Sequence, residues 1–147
     1  MIKIIYGPKG TGKTKQLLDA ANAQVKDAKG LSVFITDNKR AMYSLDRAVR
    51  YIDVTDYDIA GEDALCGFVK GVAACNSDNE YIYIDGVARI AGKPLSELAG
   101  IFYMLEKISF TAVWQSSKLP FTATTLTFAP SCVHICSFCI LETPSDG

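Results

Sequence analysis

At 147 residues the chain has the length of one domain with a sizeable core, and its 49 % apolar content is a globular value. A formal net charge of −1, with no basic stripe, offers no footprint for nucleic acid, and no run approaches the ~18 apolar residues of a membrane helix. The first strand starts at the N-terminus, so no cleaved secretory signal is expected; a cytoplasmic setting follows, in which the five cysteines read as free thiols.

Ile2, Ile4, Ile5 and Tyr6 form a short apolar strand. It runs into Gly7-Pro8-Lys9-Gly10-Thr11-Gly12-Lys13-Thr14, a complete G-x-x-x-x-G-K-T phosphate-loop pattern. Glycines allow the tight turn and bring successive N–H groups inward, where they can cradle phosphate oxygens. Lys13 would reach the β- and γ-phosphates, and the Thr14 hydroxyl would join the shell of a Mg²⁺ ion. The pattern demands a buried strand before it and a helix after it. Leu17, Leu18, Ala21 and Val25 supply the helical spacing, predicting a helix over Lys13–Lys29 stopped by Gly30. The competing reading is a glycine-rich turn that holds no ligand.

The β-branched run from Leu31 to Thr36 predicts a second strand. Asp37 follows it. Ligands of open α/β sheets lie beyond the carboxyl ends of the strands, so Asp37 could touch Mg²⁺, a water or a ribose. Its alternative is to cap a helix expected from about Lys39 to Val49. Arg50–Val54 reads as a third strand and Tyr57–Asp63 as an acidic loop. Leu65, Phe68, Val69 and Val72 place a helix over Ala64–Cys75, with Cys66 and Cys75 as core-packing thiols.

Glu80-Tyr81-Ile82-Tyr83-Ile84-Asp85 is a strand ending in an acid, the form of a Walker B strand whose Asp holds the Mg²⁺ shell. Otherwise Asp85 is a turn residue ahead of Gly86. Many ATPases carry a Glu after that Asp to polarise water. Here the residue is Gly86, which leaves Asp37 and Glu62 as general-base candidates by topology alone. Arg40 and Arg89 start near strand ends, and surface solvation is the expected role of each. Pro94 opens a helix to Ile108, with Leu95, Leu98, Phe102, Leu105 and Ile108 in register.

Beyond this helix the chain changes character. Of 15 basic and 16 acidic residues, only Lys118, Glu142 and Asp146 lie after residue 107. Thr124–Phe128 and Val133–Leu141 could form strands, but the segment is expected to be irregular. Cys132, His134, Cys136 and Cys139 are zinc-ligand types. Their crowding does not match paired metal-ligand spacing, and along one strand they would not converge.

With IIYGPKGTGKT at one end and EYIYIDG at the other, residues 1 to about 109 resemble a group of small P-loop ATP-binding proteins of anaerobic Gram-positive bacteria. These belong to the P-loop NTPase superfamily and are sometimes labelled twitching-motility ATPase-like. The resemblance implies an α/β fold, a three-layer sandwich with a mainly parallel sheet. It also implies nucleotide binding at Gly7–Thr14 and Asp85. In that family a charged turn and another parallel strand follow the last helix, and this chain departs there. Residues 110–147 are therefore set apart as an atypical C-terminal segment, expected to be out of the ancestral frame or poorly ordered, with the last parallel strand missing. Thymidine kinases share the layout but carry a Glu where Gly86 stands. Partitioning ATPases place a signature lysine where Pro8 stands. A twitching motor needs a far longer chain with His boxes.

The expected function is an ATP-binding protein with Mg²⁺ as cofactor and slow or no hydrolysis. Lys13 and Asp85 are its candidate catalytic residues, Gly7 to Thr14 its nucleotide-binding residues, and Thr14 and Asp85 its metal residues. The alternatives are a nucleoside-type kinase, with a base among Asp37, Asp53 or Glu62, and a non-catalytic scaffold that holds nucleotide. The expected partner is ATP or ADP, with no nucleic acid and no membrane implied.

Overall fold

The computed structural model describes residues 2–116 and 137–143. The elements in chain order are β1 (Ile2–Pro8), α1 (Lys13–Gln24), β2 (Leu31–Thr36), β3 (Val49–Asp53), α2 (Glu62–Cys75), β4 (Asn79–Ile84), α3 (Val87–Ala91), α4 (Ala99–Ser116) and β5 (Ser137–Thr143). The strands form one sheet in the order β1-β5-β4-β2-β3. Every neighbouring pair is parallel. All five carboxyl ends therefore share one edge.

The sheet is covered on both faces, as parallel strands require. Val33 and Ile35 of β2 and Ile82 and Ile84 of β4 point to one side. There they pack with Leu65 and Val69 of α2, Val87 and Ile90 of α3, and Ile101 and Leu105 of α4. Phe34, Tyr81 and Tyr83 point to the other side, against Leu17, Leu18 and Ala21 of α1. The Phe34 and Tyr83 rings stack across the β2–β4 ladder with centroids 6.2 Å apart. This is the expected three-layer α/β architecture, built from strands whose residues are buried almost without a break.

Three local expectations change. The helix predicted over Lys39–Val49 is a 3₁₀ segment ending at Ser44. Asn22 of α1 explains the early end: its amide donates to the Ser44 carbonyl at 2.8 Å and accepts from the Asp46 amide at 2.8 Å. Asp46 then turns the chain into β3 by accepting from the Ala48 amide. The helix placed over Pro94–Ile108 starts at Ala99 and runs to Ser116, after a separate short α3 that the periodicity does not reveal. α3 is five residues between Gly86 and Gly92, both in the left-handed region, and so falls below the window in which helical spacing can be read. Cys75 is exposed, not a core thiol, whereas half-buried Cys66 packs against the core as expected.

The largest correction concerns the segment expected to be irregular. Residues 137–143 form β5, which pairs with β1 from Ile2↔Ser137 to Pro8↔Thr143 and with β4 at Tyr83↔Phe138 and Ile84↔Cys139. β5 overlaps the run Val133–Leu141 expected as a possible strand, and the parallel strand expected to be missing is present, between β1 with the phosphate-loop pattern and β4, which leads to Asp85. Its apolar run without alternation suits a strand with neighbours on both sides. The Thr124–Phe128 strand and the ligand types at Cys132, His134 and Cys136 lie outside the described residues. Among the described residues, no helix is long and apolar enough to cross a membrane.

Because β1 reaches the rest of the sheet through β5, removing residues 137–147 should abolish the cooperative thermal transition followed by circular dichroism. A truncated chain that melts like the full one would show that β5 is not integral to the sheet.

Candidate functional site

The carboxyl ends of β1, β2 and β4 bring the predicted residues together. Gly7 and Pro8 close β1, Lys9 and Gly10 form the turn, and Thr11 and Gly12 lead into α1. Gly10 (φ 85°) and Gly12 (φ 76°) are left-handed, a conformation that costs an ordinary L-residue about 1–2 kcal/mol. Gly12 stands at the N-cap of α1 and has no side chain to cap it. The helix's first N–H groups and the positive end of its dipole therefore face the turn. Lys13, the first residue of α1, is 5 % exposed.

Asp85 lies one residue past β4 and is fully buried. Its amide donates to the Ile35 carbonyl at 2.8 Å, which locks the end of β4 to β2. The Thr14 hydroxyl donates to both carboxylate oxygens, at 3.4 and 3.3 Å, across 71 residues of sequence. The Thr36 hydroxyl, also buried, donates to Oδ2 at 3.4 Å. Burial pushes the Asp85 carboxyl above its ordinary range, and the nearby Asp37 charge adds to this. Arg89 and the two hydroxyls oppose the shift.

Two further expectations change here. Asp37 does not cap the following segment; the neighbouring Asn38 does, its side chain accepting from the Arg40 amide at 3.1 Å. Asp37 instead forms a bidentate pair with Arg89, Nε to Oδ2 at 3.0 Å and Nη2 to Oδ1 at 2.8 Å. The same guanidinium lies 3.8 Å from Asp85, so Arg89 is not simply a solvated surface charge. Gly86 is forced by this arrangement. Its φ is +77°, and a Cβ there would meet the Arg89 guanidinium and lie 2.9 Å from Asp37 Oδ1.

Sequence reading overlooked Thr36 and the role of Arg89, though both leave a trace. Ile35 is in register with Ile84, so the next residue of each strand, Thr36 and Asp85, end side by side. Arg89 follows Asp85 at the i,i+4 spacing that lets helical side chains meet. The other acidic candidates are committed elsewhere. Asp53 accepts from the Thr55 amide at 2.9 Å and its hydroxyl at 2.6 Å, and Glu62 pairs with Lys93.

Lys9, Thr14, Asp37, Asn38, Lys39 and Arg89 line an open cleft of about 430 Å³ above these strand ends. Three cations against one carboxylate make it a surface for anions. Among the described residues, no group of three or more His, Cys, Asp or Glu side chains converges as a protein-only metal cage. One buried carboxylate beside a threonine hydroxyl is a hard-oxygen set of the kind Mg²⁺ accepts, with waters and phosphate oxygens completing its shell. Thr14 and Asp85 therefore fit that ion. No protein-family model and no curated protein matches the chain.

A carboxyl whose pKa is raised by folding lowers stability progressively as pH climbs from its ordinary value of 3.8 through the folded value. Asp85→Asn should therefore melt higher than the wild type at pH 7 without ligand, with the gain vanishing as pH falls below about 4. Thermal unfolding at the two pH values checks this. A variant that melts lower at both would show that the ionised carboxylate stabilises the fold.

Proposed function

We propose that the chain is a P-loop NTPase-like protein that binds ATP with Mg²⁺ and hydrolyses it slowly. The observation that carries the reading is the convergence at one sheet edge of a complete G-x-x-x-x-G-K-T turn with the buried Asp85 carboxylate, joined through the Thr14 hydroxyl. In this reading the backbone from Gly10 to Lys13 holds the β-phosphate, and Lys13 neutralises charge that develops on the transferred group. Thr14 and Asp85 hold the metal, which would offset charge on the β- and γ-phosphates. Slow turnover agrees with a glycine, not a carboxylate, at the position after Asp85.

One observation favours a second reading, a nucleoside-type kinase. A cleft of about 410 Å³ between α1 and the 3₁₀ segment meets the first cleft at Thr14 and Asn38 and is also lined by Leu18, Asp19 and Arg40. Its size suits a small acceptor molecule. Phosphate release from ATP with and without nucleosides separates the two readings: acceptor-dependent ADP formation favours the kinase. Tight ATP binding with no ADP formed in either case favours a scaffold.

Lys13→Ala should weaken ATP binding at least ~10-fold in titration calorimetry, because it removes a charge-assisted phosphate contact from a buried position. Unchanged affinity would overturn the phosphate-loop assignment. Asp85→Asn should keep most of the nucleotide affinity but lose its dependence on Mg²⁺. Wild-type Mg²⁺ dependence in that variant would remove Asp85 from the metal site.

A further inference from the structure

We propose that Asp37 orients the water that attacks the γ-phosphate, with Arg89 as its positioning residue; this rests on the ATP-binding reading of the site. Of the acids Asp37, Asp53, Glu62 and Asp85, three have other work. Asp85 faces the Thr14 hydroxyl, Asp53 caps the turn at Thr55, and Glu62 is paired with Lys93. Position 86 is a glycine and offers no carboxylate. Asp37 remains, its side chain 22 % exposed, on the wall of the cationic cleft that also contains Thr14.

The geometry around Asp37 suits orientation of a water. Arg89 grips both carboxylate oxygens in a planar fork, at 2.8 and 3.0 Å, and so fixes the plane of the group. Each oxygen keeps a second lone pair for a water hydrogen. In the step, the water oxygen bonds to the γ-phosphorus while the bond from that phosphorus to the β,γ-bridging oxygen breaks. The bridging electron pair leaves with ADP, and a water proton passes to an oxygen of the released phosphate. Arg89 touches no reacting atom in this assignment.

The test uses the full chain, ATP with MgCl₂, and phosphate release under single-turnover conditions, with ATP affinity measured in parallel by calorimetry. Asp37→Asn should keep ATP affinity within about threefold and slow release about 100-fold, the scale on which a misplaced reactant costs rate. Glu62→Gln should release phosphate at the wild-type rate. Arg89→Ala should also slow release, and the Asp37→Asn/Arg89→Ala double variant should be no slower than Asp37→Asn alone, as two residues acting as one unit require. A purely structural Arg89 would give additive losses, and Arg89→Lys gives a second, milder variant should Arg89→Ala unfold. Wild-type release from Asp37→Asn, or a loss confined to Glu62→Gln, would overturn the assignment. A wild-type chain that binds ATP but releases no phosphate would overturn it and leave the binding reading intact. Failure to bind ATP at all would overturn both.

Discussion

The site depends on a carboxylate taken out of water. Asp85 is fully buried, and the hydroxyls that answer it, Thr14 and Thr36, stand at the long end of hydrogen-bond distance. Such a charge is costly unless something positive shares it. Arg89 does so in part from 3.8 Å, but its closer attachment is to Asp37. Even with Arg89 and the two hydroxyls beside it, burial keeps the carboxyl above its ordinary range. Position 86 is tied to the same requirement, because the guanidinium occupies the space beside its Cα.

The sheet beneath gives this edge its rigidity. Alternate residues of β2 and β4 serve two separate cores, with branched aliphatics on the α2–α3–α4 side and aromatic rings on the α1 side. Shifting either strand by one residue would exchange the two sets and drive Phe34 and Tyr83 into space shaped for Val and Ile. The strand ends cannot slide without that exchange. Thr36 and Asp85 are therefore held in place by packing well below them.

What could be read in the sequence follows from how local each signal is. The phosphate-loop pattern, the β-branched run at 31–36 and the acid-ending run at 81–85 each state their element within a few residues, and each lies where expected. The failures are non-local. A side chain of α1, Asn22, ends the segment after β2, and a guanidinium of α3, 52 residues on, decides what Asp37 does. The strand-capable run Val133–Leu141 overlaps β5, but its place between β1 and β4 is not legible, because it carries few charges and little alternation. Those features suggest disorder of pattern at a surface but are ordinary between two parallel neighbours. The spacing of Asp85 and Arg89 is visible in the sequence, but α3, which carries Arg89, is too short to announce itself.

The position of β5 also bears on when the site can exist during synthesis. β1, made first, pairs in the sheet with β5, made last among the described elements. Roughly 130 residues separate them, on the order of 10 s of translation at ordinary rates of synthesis. Until then β1 and the glycine turn have no ladder to join, while β2, β3 and β4 can already assemble. The contact that closes the sheet is among the longest in sequence the chain makes, and contacts of that kind form slowly. The nascent chain therefore presents an unpaired, apolar N-terminal strand over most of its emergence, and chaperone engagement and misassembly would concentrate in that interval.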